Sequence, residues 1–117
     1  MNDVDFARRW DIVLIRFPFS NLAGSKLRPA LVLARSREQD LLVGFITSRQ
    51  MPATDDRDVP MTPDHPEFVE TGLRVASTVR LDKLASLHPT LLRGRIGAVG
   101  PQIGDRVNRA LRAVLAL

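Results

Sequence analysis

Three short stretches of the sequence hold polar side chains that can act together on a phosphodiester bond. Arg28 precedes one apolar run, Thr47 and Ser48 end another, and Arg80 and Asp82 lie two positions apart in a third. Guanidinium groups bind phosphate through paired hydrogen bonds, hydroxyl groups donate single ones, and a carboxylate can accept a proton. If the fold brings these residues to one place, they could supply the chemistry of RNA cleavage without a metal ion.

Each of these side chains has an expected role in such a reaction. Asp82 would take the proton of the ribose 2′-hydroxyl, while Arg28 and Arg80 would bind the phosphate and stabilise charge in the transition state. Thr47 and Ser48 would position the phosphate. Arginine is a poor proton donor because its pKa exceeds about 12, so charge stabilisation is the first role of Arg80. Taken singly, each residue also fits a structural role, such as a strand-end cap or an Arg80–Asp82 salt bridge.

The composition excludes most other chemistries. The 117 residues include no cysteine and only two histidines, which removes thiol nucleophiles, iron–sulfur sites and zinc fingers. His65 lies between two prolines and His88 precedes Pro89, and neither has a partner at the spacing of a metal site. We therefore expect neither a metal nor a cofactor.

The charge is distributed unevenly along the chain. Lysine and arginine number 17 against 13 acidic residues; residues 1–70 carry a net charge of −2 and residues 71–117 one of +6. Fifteen of the basic residues are arginine, which favours a polyanionic partner. The first residues are acidic and no apolar run approaches the roughly 20 residues of a membrane span. We expect a cytoplasmic protein without membrane contact.

Alternating apolar residues and turn residues predict a chain of short strands. The predicted strands cover residues 11–19, 28–34, 41–48, 59–61, 77–81 and 95–99, and loops cover 20–26 and 49–58. Gly44 inside the third strand indicates a bulge or close packing. Leu84, Leu87, Leu91 and Leu92 are core candidates along a winding segment.

A single helix is predicted at the C-terminal end. Gly100-Pro101 is a helix-entry signal, and Ile103, Val107, Ala110 and Val114 recur at helical spacing on one face. Several short strands followed by one helix predict a mainly β fold, a strongly bent antiparallel barrel capped by the helix. One domain, residues 1–117, is expected from the length.

Five blocks follow one another from about residue 10 to the C-terminal end: Asp11-Ile12-Val13-Leu14-Ile15-x-Phe17-Pro18, Leu27-Arg28-Pro29-Ala30-Leu31-Val32-Leu33, Ile46-Thr47-Ser48, Val79-Arg80-Leu81-Asp82 and Arg95-Ile96-Gly97. In this order they resemble the MazF/PemK/Kid toxins of type II toxin–antitoxin systems. The Arg-Pro-Ala-Leu-Val-Leu block is the most specific match.

The resemblance implies both a fold and an activity. The expected fold is an SH3-like or CcdB-like barrel that forms a homodimer. The expected activity is sequence-selective, metal-independent cleavage of single-stranded RNA, chiefly mRNA, to 2′,3′-cyclic phosphate and 5′-hydroxyl ends, which stops translation and growth. The expected partner besides RNA is a cognate antitoxin protein, whose acidic segment would suit an arginine-rich surface.

By position, the resemblance also assigns residues. Arg28 and Thr47 match the essential arginine and threonine of the family, and Ser48 matches the neighbouring hydroxyl. Arg80 and Asp82 match the arginine and aspartate proposed as acid and base in the Kid branch. Lys26, Ser48 and Arg49 are expected to bind the substrate.

Two non-catalytic alternatives remain at this point. The first is a toxin of the same fold that poisons DNA gyrase, whose hallmark is a Trp-Gly-Ile-type C-terminus. This chain instead ends Ala113-Val114-Leu115-Ala116-Leu117, and its one tryptophan is Trp10. The second is an inactive barrel that binds RNA or a peptide.

Overall fold

The computed structural model describes residues 7–18, 25–49 and 55–117. In these ranges the chain forms six strands and one α-helix. The strands are β1 (Asp11–Pro18), β2 (Ser25–Arg35), β3 (Leu41–Thr47), β4 (Asp58–Met61), β5 (Ser77–Leu87) and β6 (Leu92–Ala98), and the helix is α1 (Pro101–Leu115). Short 3₁₀ turns at Val69–Thr71 and Pro89–Leu91 precede β5 and β6.

The strands form one antiparallel sheet in the order β4-β5-β3-β2-β1-β6. Consecutive strands β1, β2 and β3 pair as a meander, as the alternating pattern predicted. Within the described ranges β4 and β6 are the two edges, so the sheet is barrel-like without being closed. The prediction of a mainly β, barrel-type fold with a C-terminal helix is confirmed.

Apolar side chains cover both faces of this sheet because successive residues of a strand point to opposite sides. One buried cluster packs against α1 and joins residues of five strands to the helix: Ile12, Leu31, Leu33, Ile46, Val59, Met61, Val79, Leu81, Ile103, Val107 and Ala110. The second cluster lies on the opposite face: Val13, Ile15, Ala30, Val32, Leu41, Val43 and Leu92. The predicted apolar stripe of the helix is therefore confirmed as the side that packs on the sheet.

Strand boundaries differ from the prediction at several places. Strand β2 begins at Ser25 and not at residue 28, and β6 begins at Leu92 and not at residue 95. The strand predicted to end at residue 81 continues to Leu87, because β5 bulges opposite Gly44 and then pairs again with β3. The predicted loop 49–58 ends one residue early, since Asp58 already pairs with Arg80 in β4. Residue 19 of the first predicted strand, residues 20–24 of the first predicted loop and residues 50–54 of the second loop lie outside the described residues.

The helix begins as the Gly100-Pro101 signal predicted, with Pro101 in its first turn. The cap comes from a distant residue: the carboxylate of Glu67 accepts hydrogen bonds of 2.9 Å from the backbone N–H groups of Gln102 and Ile103. Gly100 leaves room for this carboxylate, since a Cβ there would lie 2.6 Å from its carbon. Glu67 thereby ties the start of α1 to the segment between β4 and β5.

Candidate active site

Four neighbouring strands, from β4 at the edge to β2, place the candidate residues side by side at one end of the sheet. Phe45 of β3 lies opposite Arg80 of β5, which in turn lies opposite Asp58 of β4. The next row contains Thr47 and Thr78. Residues directly opposite in an antiparallel pair point to the same face. Both rows therefore face away from α1, because the residues that alternate with them, such as Val79, belong to the cluster under the helix.

Arg28 lies on the same face of the neighbouring strand. Ala30 of β2 pairs with Phe45 of β3. Arg28 lies two residues before Ala30 and Thr47 lies two residues after Phe45, so in an antiparallel pair Arg28 is level with Thr47. Lys26 is two positions further along β2 and shares this face by alternation. The side chains of Arg28 and Lys26 are both exposed.

The predicted residues therefore share one face but form two groups. Arg28 and Thr47 make up the first, and Arg80 and Asp82 the second. With strands about 4.8 Å apart and about 3.4 Å per residue, the Cα atoms of Arg28 and Arg80 are roughly 12 Å apart. A phosphodiester strand that crosses β3 would meet both guanidinium groups.

The end of β3 holds the predicted hydroxyl groups. The Thr47 side-chain oxygen accepts a hydrogen bond of 3.1 Å from the backbone N–H of Arg49, which leaves its O–H group able to donate. Ser48 and Arg49 follow the strand and are exposed. Thr47 can thus donate to a ligand on this face, and the two residues after it border the same end of the sheet.

Arg80 and Asp82 are joined by an ion pair. The Nη2 atom of Arg80 donates to Oδ2 of Asp82 at 3.0 Å, and both side chains are about 30% exposed. Asp82 sits in the bulge of β5, where Arg80 pairs with Phe45 but Leu84 pairs with Gly44. A Cβ on Gly44 would touch Leu81 and Val79 at 3.4 Å, so the close packing predicted for this glycine is confirmed.

One donor of Arg80 is not satisfied within the described part of the protein. Its Nε atom is buried and has no hydrogen-bond partner. A buried N–H group without a partner is costly, and such groups in native proteins are often explained by a ligand or by water. Arg80 therefore keeps capacity to bind an anion besides Asp82.

Sequence reasoning missed a second carboxylate in this group. Asp58 is half-buried and opposite Arg80. Burial raises the pKa of Asp58, the negative charge of Asp82 raises it further, and Arg80 acts in the opposite direction. The alternation of Asp58-Val59-Pro60-Met61 around two buried residues was the available signal for this strand.

A neighbouring ion pair continues the row of charges. The Nε atom of Arg57 donates to Asp55 at 2.8 Å, which lowers the pKa of that carboxyl and raises the pKa of the guanidinium. The backbone carbonyl of Arg57 accepts a hydrogen bond from the N–H of Leu81 at 3.0 Å. The Asp55–Arg57 pair thus lies next to the group formed by Asp58, Arg80 and Asp82.

The two histidines lie in turns. The Nδ1 atom of His65 accepts a hydrogen bond from the backbone N–H of Glu67 at 3.0 Å, and that of His88 accepts one from Thr90 at 3.1 Å. Over residues 7–18, 25–49 and 55–117, no group of three or more His, Cys, Asp or Glu side chains could hold a metal ion. No helix in these ranges is long and apolar enough to cross a membrane.

Nearly the whole chain matches one protein family. A model described as PemK-like, MazF-like toxin of type II toxin–antitoxin system matches residues 8–115. The chain belongs to this toxin family. In sequence, no curated protein matches the chain.

Solved structures of PemK-like and MazF-like toxins share the fold. An endoribonuclease from a mycobacterial species is 21% identical, with a TM-score of 0.69 over 100% of this chain and 95% of that one. The toxin MazF-mt6 from Mycobacterium tuberculosis is 21% identical, with a TM-score of 0.71 over 92% and 97%. A MazE–MazF complex from Deinococcus radiodurans is 20% identical, with a TM-score of 0.71 over 95% and 96%. At 20–21% identity, these similarities show a shared fold.

Proposed function

We propose that this PemK-like, MazF-like toxin is a metal-independent endoribonuclease that cuts single-stranded RNA, chiefly mRNA, at short sequences. The observation that carries the proposal is the shared sheet face, on which Arg28, Thr47, Arg80 and Asp82 lie together. Solved neighbours described as endoribonucleases have the same fold. Cleavage of mRNA would stop translation and growth, as expected of a toxin.

The substrate is bound by the basic side chains at this end of the sheet. Arg28 and Arg80 bind the phosphate backbone on the two sides of β3, the reacting phosphate lies beside Arg80, and the unsatisfied Nε of Arg80 supplies one of the hydrogen bonds. Lys26, Ser48 and Arg49 bind the nucleotides on either side of the cut. The Thr47 hydroxyl donates to a non-bridging phosphate oxygen and holds it in place.

The chemistry is an internal transfer of the phosphoryl group. Asp82, held in place by its hydrogen bond to Arg80, takes the proton of the 2′-hydroxyl. The 2′-oxygen then bonds to phosphorus, and the bond from phosphorus to the 5′-oxygen breaks. Arg28 and Arg80 stabilise the negative charge that builds on the phosphate. The products are a 2′,3′-cyclic phosphate and a 5′-hydroxyl end.

The protein partners follow from the toxin family. We propose that a cognate antitoxin protein binds and inhibits this chain, as in the antitoxin complexes of the mycobacterial and Deinococcus neighbours. We further propose that the toxin is a cytoplasmic homodimer. Both proposals are open to a direct test by co-purification and by light scattering.

The decisive experiment is cleavage of a mixed-sequence RNA by the purified protein in the presence of EDTA, followed by mapping of the product ends. We expect cyclic-phosphate and 5′-hydroxyl ends at a short recurring sequence. Activity that appears only after a divalent metal is added would overturn the mechanism. Binding without products would favour an inactive RNA-binding barrel, and inhibition of gyrase without RNA cleavage would favour the gyrase poison.

A further inference from the structure

Asp58 occupies a place in the candidate active site that the resemblance does not assign. It is the first residue of β4 and lies directly opposite Arg80, so their Cβ atoms are about 5 Å apart. Val59 and Met61, which alternate with it, are buried beneath α1. The carboxylate of Asp58 therefore points to the face that carries Thr47 and Arg80.

Two carboxylates thus flank one guanidinium group. Asp82 is hydrogen-bonded to Arg80, whereas no hydrogen bond to the carboxylate of Asp58 is present among the described residues. Like charges close together cannot both ionise easily, and the better-paired member keeps its charge. The two carboxylates are therefore unequal: Asp82 is paired with Arg80, whereas burial and the charge of Asp82 raise the pKa of Asp58.

Charged groups from each neighbouring element act on Asp58. Burial and Asp82 raise its pKa first, and Asp55 acts in the same direction, while Arg80 and Arg57 act against them. Arg106 and Arg109 of α1 border a shallow recess together with Asp56 and Asp58. A phosphate bound beside Arg80 adds negative charge and partly neutralises that guanidinium, and both effects favour the protonated form of Asp58 when substrate is present.

We propose that Asp58 is the general acid of RNA cleavage and that Asp82 is the general base. This inference rests on the proposed function. Asp82 accepts the 2′-hydroxyl proton, the bond from the 2′-oxygen to phosphorus forms, and the bond from phosphorus to the 5′-oxygen breaks. Asp58 gives its proton to the departing 5′-oxygen, and exchange with water then restores both carboxyl groups. Arg80 is thereby relieved of a proton transfer for which a guanidinium group is unsuited.

The test compares two leaving groups in Asp58→Asn, with Asp82→Asn and Asp56→Asn alongside. The substrates are an oligoribonucleotide with one cleavage site and the same oligonucleotide with sulfur in place of the 5′-bridging oxygen. A thiolate leaves without being protonated. The Asp58→Asn variant should therefore cleave the oxygen substrate about 100-fold more slowly than wild type does. Its rate on the sulfur substrate should be within about threefold of the wild-type rate. Asp82→Asn should be slow on both, and Asp56→Asn, an exposed neighbour in the preceding turn, should match wild type on both.

The pH profile gives a second readout. The wild-type rate should fall at alkaline pH as the acid loses its proton, and Asp58→Asn should lack this limb on the oxygen substrate. Asp58→Glu, which keeps a carboxyl group, should retain it. Equal rates for Asp58→Asn and wild type, or the same loss on both substrates, would overturn the assignment of Asp58. Failure of the wild-type protein to cleave either substrate would instead overturn the proposed function.

Discussion

Two nitrogen atoms of the Arg80 guanidinium group have different surroundings. Its Nη2 atom holds Asp82, and its buried Nε atom has no partner within the described chain. Leaving a buried donor unsatisfied costs about 1 to 3 kcal/mol, a cost that a bound phosphate oxygen would remove. A lysine at this position would keep the charge but lose the planar pair of donors.

Thr47 offers the cleanest test at the residue scale, because its hydroxyl can be removed with little change in shape. We expect Thr47→Val to reduce RNA cleavage about 100-fold, since one preorganised donor to the reacting phosphate is lost. Thr47→Ser keeps the hydroxyl and should retain most of the activity. Initial cleavage rates of a defined oligonucleotide measure the difference, and circular dichroism checks the fold. Equal activity of the valine and serine variants would contradict a role for the hydroxyl.

Helix α1 depends on one distant carboxylate. Burial raises the pKa of Glu67, but the hydrogen bonds from Ile103 and Gln102 more than offset it, so that the net pKa is lowered. A carboxylate at a helix N-terminus also interacts favourably with the helix dipole. The contact joins the helix to the segment after β4, and it therefore helps to hold the edge strand that carries Asp58.

Removing this cap should weaken the fold in a pH-dependent way. We expect Glu67→Gln to lower the free energy of unfolding at pH 7 by about 1 kcal/mol. Because the folded-state pKa is depressed, the contribution of Glu67 is present above the ordinary value near 4.5 and is lost as the pH falls through the lower folded-state value. Urea unfolding at pH 7 and pH 3 measures the free energy of unfolding. The difference in this free energy between variant and wild type should be smaller at pH 3 than at pH 7.

Glu70→Gln is the matched control, because Glu70 is an exposed acidic residue of the same segment that makes no contact with the helix N-terminus among the described residues. It should leave the unfolding curves at both pH values close to wild type. A loss at pH 7 as large as that of Glu67→Gln would show that general surface charge, and not the helix cap, is responsible.

For the whole molecule, the position of basic residues matters more than their number. Net charge is +4, yet the sequence places the excess in residues 71–117, while Lys26, Arg28 and Arg49 come from the acidic half. The sheet register brings these three residues to the same end as Arg80. Among the arginines of α1, Arg106 and Arg109 border the recess beside Asp58 at the β4 edge, whereas Arg112 is exposed on the helix.

Salt dependence of RNA binding can locate the contacts. For a single strand, the slope of log K against log salt concentration changes by about 0.7 per phosphate contact. We expect Arg28→Ala to reduce the slope by about this amount for an RNA with a 2′-O-methyl group at the cleavage site. Arg112→Ala on the exposed side of α1 should leave the slope unchanged. A smaller slope for Arg112→Ala together with an unchanged slope for Arg28→Ala would show that the RNA binds on the helix side of the sheet.

Local patterns in the sequence predicted the type of most elements and limited the candidate chemistry. Alternation predicted the strands that carry Arg28, Thr47 and Arg80, and the Gly100-Pro101 signal with its apolar stripe predicted α1. The absence of cysteine and the scarcity of histidine limited the candidate chemistry to arginine, hydroxyl and carboxylate groups. These features depend on residues close together in the chain, and they can therefore be recognised without a three-dimensional structure.

Only the tertiary structure decided which residues face one another. The strand order places β3 between β2 and β5, which separates Arg28 from Arg80 by about 12 Å. The bulge opposite Gly44 extends β5 beyond Asp82, and the register of β4 brings Asp58, 22 residues earlier in the sequence, opposite Arg80. Pairing between strands is a non-local property, set by how both faces of the sheet bury their apolar residues together. Sequence spacing therefore identified the arginines and missed the carboxylate that lies across the strand from one of them.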